Sequence, residues 1–196
     1  AKKVTKISGM LNGTSNFILS NMEEGSDFRS TLELAQKEGY AEPDPTFDIE
    51  GMDAAHKIGI LSSLAFGTCL PPKDFYIEGI SNIEKIDFKY AKDMGFTIKH
   101  LAVSKLNKDK VELRAHPVFI KEDSYLANLK SVRNGIEIET DLLGTLHIAG
   151  SGAGQESTAS GVISDLVNSA NSNNNISEVD SNSNIELVDF LSLSFQ

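Results

Sequence analysis

Cysteine is almost absent from this 196-residue chain, which has one Cys and no Trp. The lone Cys69 cannot close an internal disulfide, so the fold must rest on burial and hydrogen bonding, and a reducing, cytoplasmic setting is expected. Long apolar runs are missing too: nothing approaches the ~20 residues that span a bilayer. The opening Ala1-Lys2-Lys3-Val4-Thr5 lacks the apolar stretch of a signal peptide. Positive charge is in short supply, with 18 Lys and Arg against 28 Asp and Glu and a formal net charge of -10. Such a surface repels nucleic acid and anionic lipid, and no aromatic-plus-basic array offers a nucleic-acid groove. His56, His100, His116 and His147 show no metal-ligand spacing and have no Cys partner, so no metal is expected.

What is present suffices for a core, since 40% of the residues are hydrophobic. An apolar-flecked segment runs into Gly9-Met10-Leu11-Asn12-Gly13-Thr14 without an initiating Met, and the chain is expected to be a fragment of a longer one. Thr14 or Ser15 can cap a short helix that carries Phe17, Ile18 and Met22 on one side and closes at Gly25. Asp27 caps a second, Phe28 to Lys37, with Gly39 as its stop. Pro43 and Pro45 make Tyr40 to Asp48 an irregular loop. The clearest helix runs from about Met52 to Phe66, with Ala54, Ile58, Leu61 and Ala65 on a stripe and Gly67 at its end.

Beyond Pro71-Pro72 the pattern favours strands: Phe75 to Ile80, Thr97 to Leu106, Val111 to Ile120, Gly135 to Thr140 and Leu142 to Ile148. A helical turn around Asp87 to Met94 interrupts them. After Gly150-Ser151-Gly152-Ala153-Gly154 comes a last helix with Val162, Ile163, Leu166 and Val167 apolar. From Asn168 the composition turns to Ser and Asn, too polar to repay ordering, so residues 168–196 are expected to form a linker and tail in which Ile185 to Gln196 has strand-like content. Helices first and strands later predict an α+β fold built on a mixed, largely antiparallel sheet.

One constellation carries chemistry. Glu42, Asp44 and Asp48 stand in the proline-stiffened loop, followed by Glu50, Asp53 and Lys57, so that carboxylates crowd around one amine. Asp53 and Lys57 are i and i+4 on one helix face. On spacing alone an exposed ion pair worth roughly 0.3 to 0.5 kcal/mol is the plainer reading. The stiff loop tips the balance, because rigid backbone is what holds reacting groups in place. A small amino-acid substrate could set its ammonium on the spare carboxylates and exchange a proton with Lys57 through an oxygen. The glycine loop before Thr158 lacks the third glycine of G-x-G-x-x-G and no second strand with an acid follows it, so it is no dinucleotide fingerprint. The Asn12-Gly13-Thr14-Ser15 turn could face a ligand or simply cap a helix.

The run Gly9-Met10-Leu11-Asn12-Gly13-Thr14-Ser15-Asn16-Phe17-Ile18-Leu19 closely resembles homoserine dehydrogenase. So, above all, does the block from Gly39-Tyr40-Ala41-Glu42-Pro43-Asp44-Pro45 through Asp48 to Gly51-Met52-Asp53-Ala54-Ala55-His56-Lys57. The resemblance extends from the first residues through about Ala170, ending with Gly152-Ala153-Gly154 and Thr158-Ala159-Ser160-Gly161-Val162-Ile163, and the tail lies outside it. It implies that residues 1–167 form the catalytic, substrate-binding and dimerisation domain, similar to the C-terminal domain of glyceraldehyde-3-phosphate dehydrogenase-like enzymes, without an N-terminal Rossmann domain. It implies NAD(P) as cofactor, L-homoserine and L-aspartate 4-semialdehyde as substrates, a homodimer, and a place in threonine, methionine and isoleucine biosynthesis. By matching motif, Lys57 is the implied proton donor with Asp53 beside it, Glu42 holds the substrate's amino group, and Asp48 supports the cluster. Gly39 and Gly154 match positions where backbone meets the nicotinamide cofactor. Gln155-Glu156-Ser157 departs from the family's small residues and proline, and the tail does not resemble a regulatory ACT domain.

Without the dinucleotide domain the chain is expected to be inactive by itself. A different class of function is an oligomerisation module with a vestigial site. An acylating semialdehyde dehydrogenase would need Cys69 as nucleophile, where a small buried thiol is the plainer reading.

Overall fold

A computed structural model describes residues 3–67, 74–152, 155–171 and 186–187. The chain opens with strand β1 (Val4–Met10), then helices α1 (Gly13–Glu23), α2 (Phe28–Lys37), α3 (Thr46–Ile49) and α4 (Met52–Phe66). A short β2 (Tyr76–Ile77) and α5 (Lys85–Asp93) lead into two hairpins, β3 (Phe96–Asn107) with β4 (Lys110–Lys121), and β5 (Arg133–Thr140) with β6 (Gly144–Ser151). Helix α6 (Gln155–Asn171) and β7 (Glu186–Leu187) follow. The sheet order is β2-β4-β3-β1-β5-β6, and β7 pairs with β4. Both hairpins are antiparallel and β1 pairs antiparallel with each, while β2 and β7 run parallel to β4. This is the α+β architecture with a mixed, mostly antiparallel sheet that the sequence predicts.

The best-marked helices have their punctuation where the sequence writes it. Asp27 Oδ1 accepts from Ser30 N at 2.9 Å and caps α2. In α5, Asp87 reaches back to the Glu84 backbone N–H at 2.8 Å in a capping box. Helix α4 lays Ala54, Ala55 and Ile58 on the sheet beside Ile7, Ala102 and Leu113, and Leu61 and Ala65 pack at the margin. Each large aliphatic side chain buried there contributes roughly 1.5 to 3 kcal/mol. A second cluster joins Ile18, Leu19 and Met22 of α1 to Phe88 of α5 and Ile98 of β3. On the opposite face Met10, Leu101 and Val103 meet Leu126 and Leu129.

Several details differ from the sequence expectation. The central strand β1 carries little strand signal, because Ser8 and Gly9 replace the branched residues strands prefer. Gly9 is required there: an added Cβ would lie 2.8 Å from Leu11 Cδ2 and 2.9 Å from Ile136 Cγ2. The first helix is capped by Asn12, whose Oδ1 accepts from Ser15 N, rather than by Thr14 or Ser15. The loop at 40–48 gives way after Pro45 to the single turn of α3, since a proline ring is tolerated ahead of a first helical turn. Strand β2 covers only two residues of the span Phe75 to Ile80. Helix α6 runs to Asn171, through the position where the composition becomes Ser- and Asn-rich. Cys69 and Gly154 lie outside the described residues, as does the tail beyond Asn171 apart from the two residues of β7. No helix among the described residues is long and apolar enough to cross a membrane.

Lys99 on β3 is wholly buried, at 0% exposure. Burial pushes its ammonium down to about 8, repulsion from Lys130 adds to this, and attraction to Glu23 opposes it. The unfolded chain therefore binds more protons between about 8 and the ordinary lysine value of ~10.4, and stability rises with pH across that window. Urea unfolding of the wild type and Lys99→Met at pH 7 and pH 10 is expected to show the wild type gaining on the variant as pH rises. A stability difference independent of pH would contradict this.

Candidate active site

The end of β1 and the start of α1 supply the floor of a cleft of about 520 Å³. Asn12, Gly13 and Thr14 line it from this side, Glu38, Gly39, Tyr40, Glu42 and Asp44 from the segment after α2, Phe47 and Asp48 from α3, Asp53 and Lys57 from α4, and Val132, Asn134 and Gly152 from the second hairpin and the residues flanking it. The structure thus gathers around one cavity Lys57, Asp53, Glu42, Asp48 and Gly39, all singled out in the sequence.

The acids there are not equivalent. Asp53 Oδ2 accepts the Lys57 ammonium at 2.7 Å and the Asn12 amide at 2.9 Å. Asp48 Oδ1 accepts the second Asn12 N–H at 2.8 Å. The Thr14 hydroxyl lies 2.7 Å from the Tyr40 carbonyl and 3.0 Å from Asp48 Oδ2, and its single hydrogen serves one or the other. Ser15 donates to the Asp48 carbonyl at 3.1 Å. Asp48 therefore faces the N-terminal end of α1, where exposed N–H groups favour a negative charge. Asp44 is turned away to the Thr46 hydroxyl at 2.6 Å, and the bonds from Thr46 hold its carboxyl below the ordinary carboxylate range. Glu42 is exposed, and among the described residues no side-chain or backbone donor reaches its carboxylate.

Lys57 is held on two sides. Its Nζ donates to Asp53 Oδ2 and, at 3.0 Å, to the Leu11 carbonyl. An ammonium has three donors, so one N–H remains for a ligand in the cleft. The ion pair is more than a loose surface contact, because Asp53 is itself fixed by Asn12 and its side chain is only 20% exposed. Alpha-helical spacing brings the pair together, and the left-handed Gly51 (φ 83) starts that helix in a corner where a Cβ would approach His100 Nε2 to 2.9 Å. Burial holds the His100 imidazole below its ordinary range, and its Nε2–H donates to the Glu78 carbonyl at 2.9 Å.

Two members of the site carry no local sign of their role. Asn12 reads as either a cap or a ligand contact, and the structure makes it the brace for two carboxylates while it caps α1. Asn134 enters from β5 and donates Nδ2 to the Leu11 carbonyl at 3.3 Å, the same oxygen that holds Lys57. Only the sheet pairing of β5 with β1 brings it there.

A family model described as homoserine dehydrogenase matches residues 1–167. A curated homoserine dehydrogenase of Neisseria gonorrhoeae is 48% identical over 171 residues, which make up 87% of this chain and 39% of that protein. The crystal structure of a homoserine dehydrogenase from Thiobacillus denitrificans superposes with a TM-score of 0.88 at 38% identity, covering 95% of this chain and 46% of that one. A hyperthermophilic archaeal homoserine dehydrogenase solved in complex with NADPH superposes with a TM-score of 0.70 at 26% identity, covering 86% and 48%. The chain thus spans about 39% of the length of the curated relative it matches. The matched span takes in every residue of the cleft, and the chain belongs to the homoserine dehydrogenase family.

Proposed function

We propose that this chain carries the substrate site of an NAD(P)-dependent homoserine dehydrogenase that interconverts L-homoserine and L-aspartate 4-semialdehyde in the synthesis of threonine, methionine and isoleucine. The observation that carries the reading is the Lys57 ammonium, fixed by Asp53 and the Leu11 carbonyl with one N–H to spare, in a cleft that also holds the unpaired Glu42 carboxylate. Asp44, Asp48 and Asp53 are already engaged by donors of the protein, which leaves the carboxylates of Glu38 and Glu42, and Glu42, on the proline-stiffened loop, is the one we assign to the substrate's ammonium. That places the far end of a four-carbon amino acid toward Lys57.

In the direction of reduction, the spare Lys57 N–H donates to the aldehyde oxygen at C4. As negative charge grows on that oxygen the proton passes to it, giving the alcohol, and in the reverse direction Lys57 receives it. Asp53 keeps the ammonium oriented, and Asn12 keeps Asp53 from turning away. A nicotinamide dinucleotide, when bound, supplies or accepts the hydride at C4. Gly39 fits contact with such a group: it lines the cleft, and among the described residues, its chain neighbours aside, no heavy atom stands within 4 Å of where its Cβ would be, so a flat ring can approach its backbone. Gly154 is proposed for the same contact from its motif. The archaeal relative solved with NADPH supports the choice of cofactor.

In the complete enzyme Lys57→Ala is expected to lower kcat by roughly 10² to 10⁴, the contribution usual for a positioned proton donor. Glu42→Ala should act on kcat/KM for homoserine by roughly one to two powers of ten, as expected for losing a charge-assisted hydrogen bond. Near-normal turnover of Lys57→Ala would remove that residue from the mechanism. The 196-residue chain alone is expected to bind L-homoserine by calorimetry, with affinity lost in both variants, and to show no NADPH oxidation with the semialdehyde. Unchanged affinity in both variants would favour the purely structural module instead.

A homodimer belongs to the same proposal. Leu146 and Ile148 of β6 are 42% and 57% exposed, and Val162, Ile163, Leu166 and Val167 of α6 are exposed as well, large apolar side chains that a second copy would cover. Sedimentation equilibrium should return twice the chain mass of 21.3 kDa. A monomer at all concentrations would argue against the dimer.

A further inference from the structure

Lys99 stands where β3 outruns its neighbour. The β1–β3 ladder ends at Gly9–Ala102, and β3 continues past it beside α1 and the segment that joins the two hairpins. There the buried Lys99 ammonium donates to the Leu129 carbonyl at 3.1 Å and to Asn16 Oδ1 at 3.2 Å. Asn16, also buried, donates Nδ2 to the Leu129 carbonyl and the Arg133 carbonyl, both at 3.2 Å. The two side chains therefore grip both ends of the turn at 130–132. Ser131 within it has φ 60, a conformation that a residue other than glycine keeps only where its surroundings dictate it. From outside, Lys130 pairs with Glu23, which also accepts from Thr97 at 2.7 Å.

This turn delivers Val132 and Asn134 to the wall of the cleft. Asn134 then donates to the Leu11 carbonyl, which is the backbone half of the Lys57 seat. A methionine would fill the space of the Lys99 stem with no charge to desolvate. What an ammonium adds there is a directed grip on a carbonyl of the turn.

We propose that Lys99 is a positioning residue for the active-site cleft: through Leu129 and Asn16 it sets the 130–132 turn so that Asn134 reaches the Leu11 carbonyl and steadies the seat of Lys57. The structural half of this stands by itself, whereas the kinetic half rests on the dehydrogenase reading.

The structural half is read by NMR on the whole 196-residue chain, following the Asn134 side-chain amide without any substrate. In Lys99→Met its resonances should shift and its solvent exchange should quicken by about tenfold or more. The kinetic half is read in the complete enzyme, where Lys99→Met and Asn134→Ala should each lower kcat/KM for L-homoserine by about tenfold. The double variant should lose no more than either alone, because both act through one contact. An Asn134 amide unmoved in Lys99→Met, or losses that multiply in the double variant, would overturn the inference. Should Lys99→Met not fold, Lys130→Ala, which loosens the same turn from its exposed side, should move the same resonances less far. Resonances unmoved there would overturn it equally. An unsubstituted enzyme that fails to act on homoserine would count against the dehydrogenase reading alone, since the Asn134 amide judges the positioning role whatever the substrate.

Discussion

Two consecutive backbone positions at the end of β1 hold the cleft together. The Leu11 carbonyl points its lone pairs at Lys57 and Asn134, and Asn12, next in the chain, ties down Asp48 and Asp53 while it caps α1. Four elements that share no local sequence thus meet at one peptide junction. Were β1 to run one residue further or α1 to start one residue later, the carbonyl would be spent on a sheet ladder and the amide would point elsewhere. The strand's stopping point is therefore a functional coordinate as much as a structural one.

The arrangement divides labour among like groups. Of five carboxylates on the cleft, the three aspartates are satisfied by the protein's own donors, and their negative charge is already answered before a ligand arrives. The two glutamates, Glu38 and Glu42, are left open. Like charges gathered without such partners would repel one another, and the loop that carries them would have no reason to stay closed. Proline stiffness sets the backbone of this loop, and the polar ends of α1 and α3 then choose which acid is consumed.

Much of this was legible in the order of residues, for definite reasons. The helices α2 and α4 announce themselves through Asp27, Gly39, the Ala54–Ile58 stripe and Gly67, signals that act within a turn or two of the backbone. Lys57, Asp53, Asp48 and Glu42 could be grouped because they lie within sixteen positions of one another, on one loop and the helix that follows it. The strand β1 escaped notice because its burial depends on two flanking strands and not on its own side chains. Asn134 and Lys99 were silent for the same reason: each acts through a partner far along the chain, Leu11 for one and Leu129 for the other. A lysine between Ile98 and His100 reads as solvent-facing until the turn that covers it is known.

The placement of β1 between two hairpins also bears on how the molecule assembles. The β3–β4 pair closes across a two-residue turn, so its ladder can zip up as soon as both arms exist. The first strand has no such local partner: Val4 must wait for Thr140. During synthesis β1 emerges well before β5, and it is thus among the last of these strands to complete its pairing. The chemistry at residue 57 matures only when β1 has been taken in between the two hairpins, since the Leu11 carbonyl that seats Lys57 follows directly on that strand.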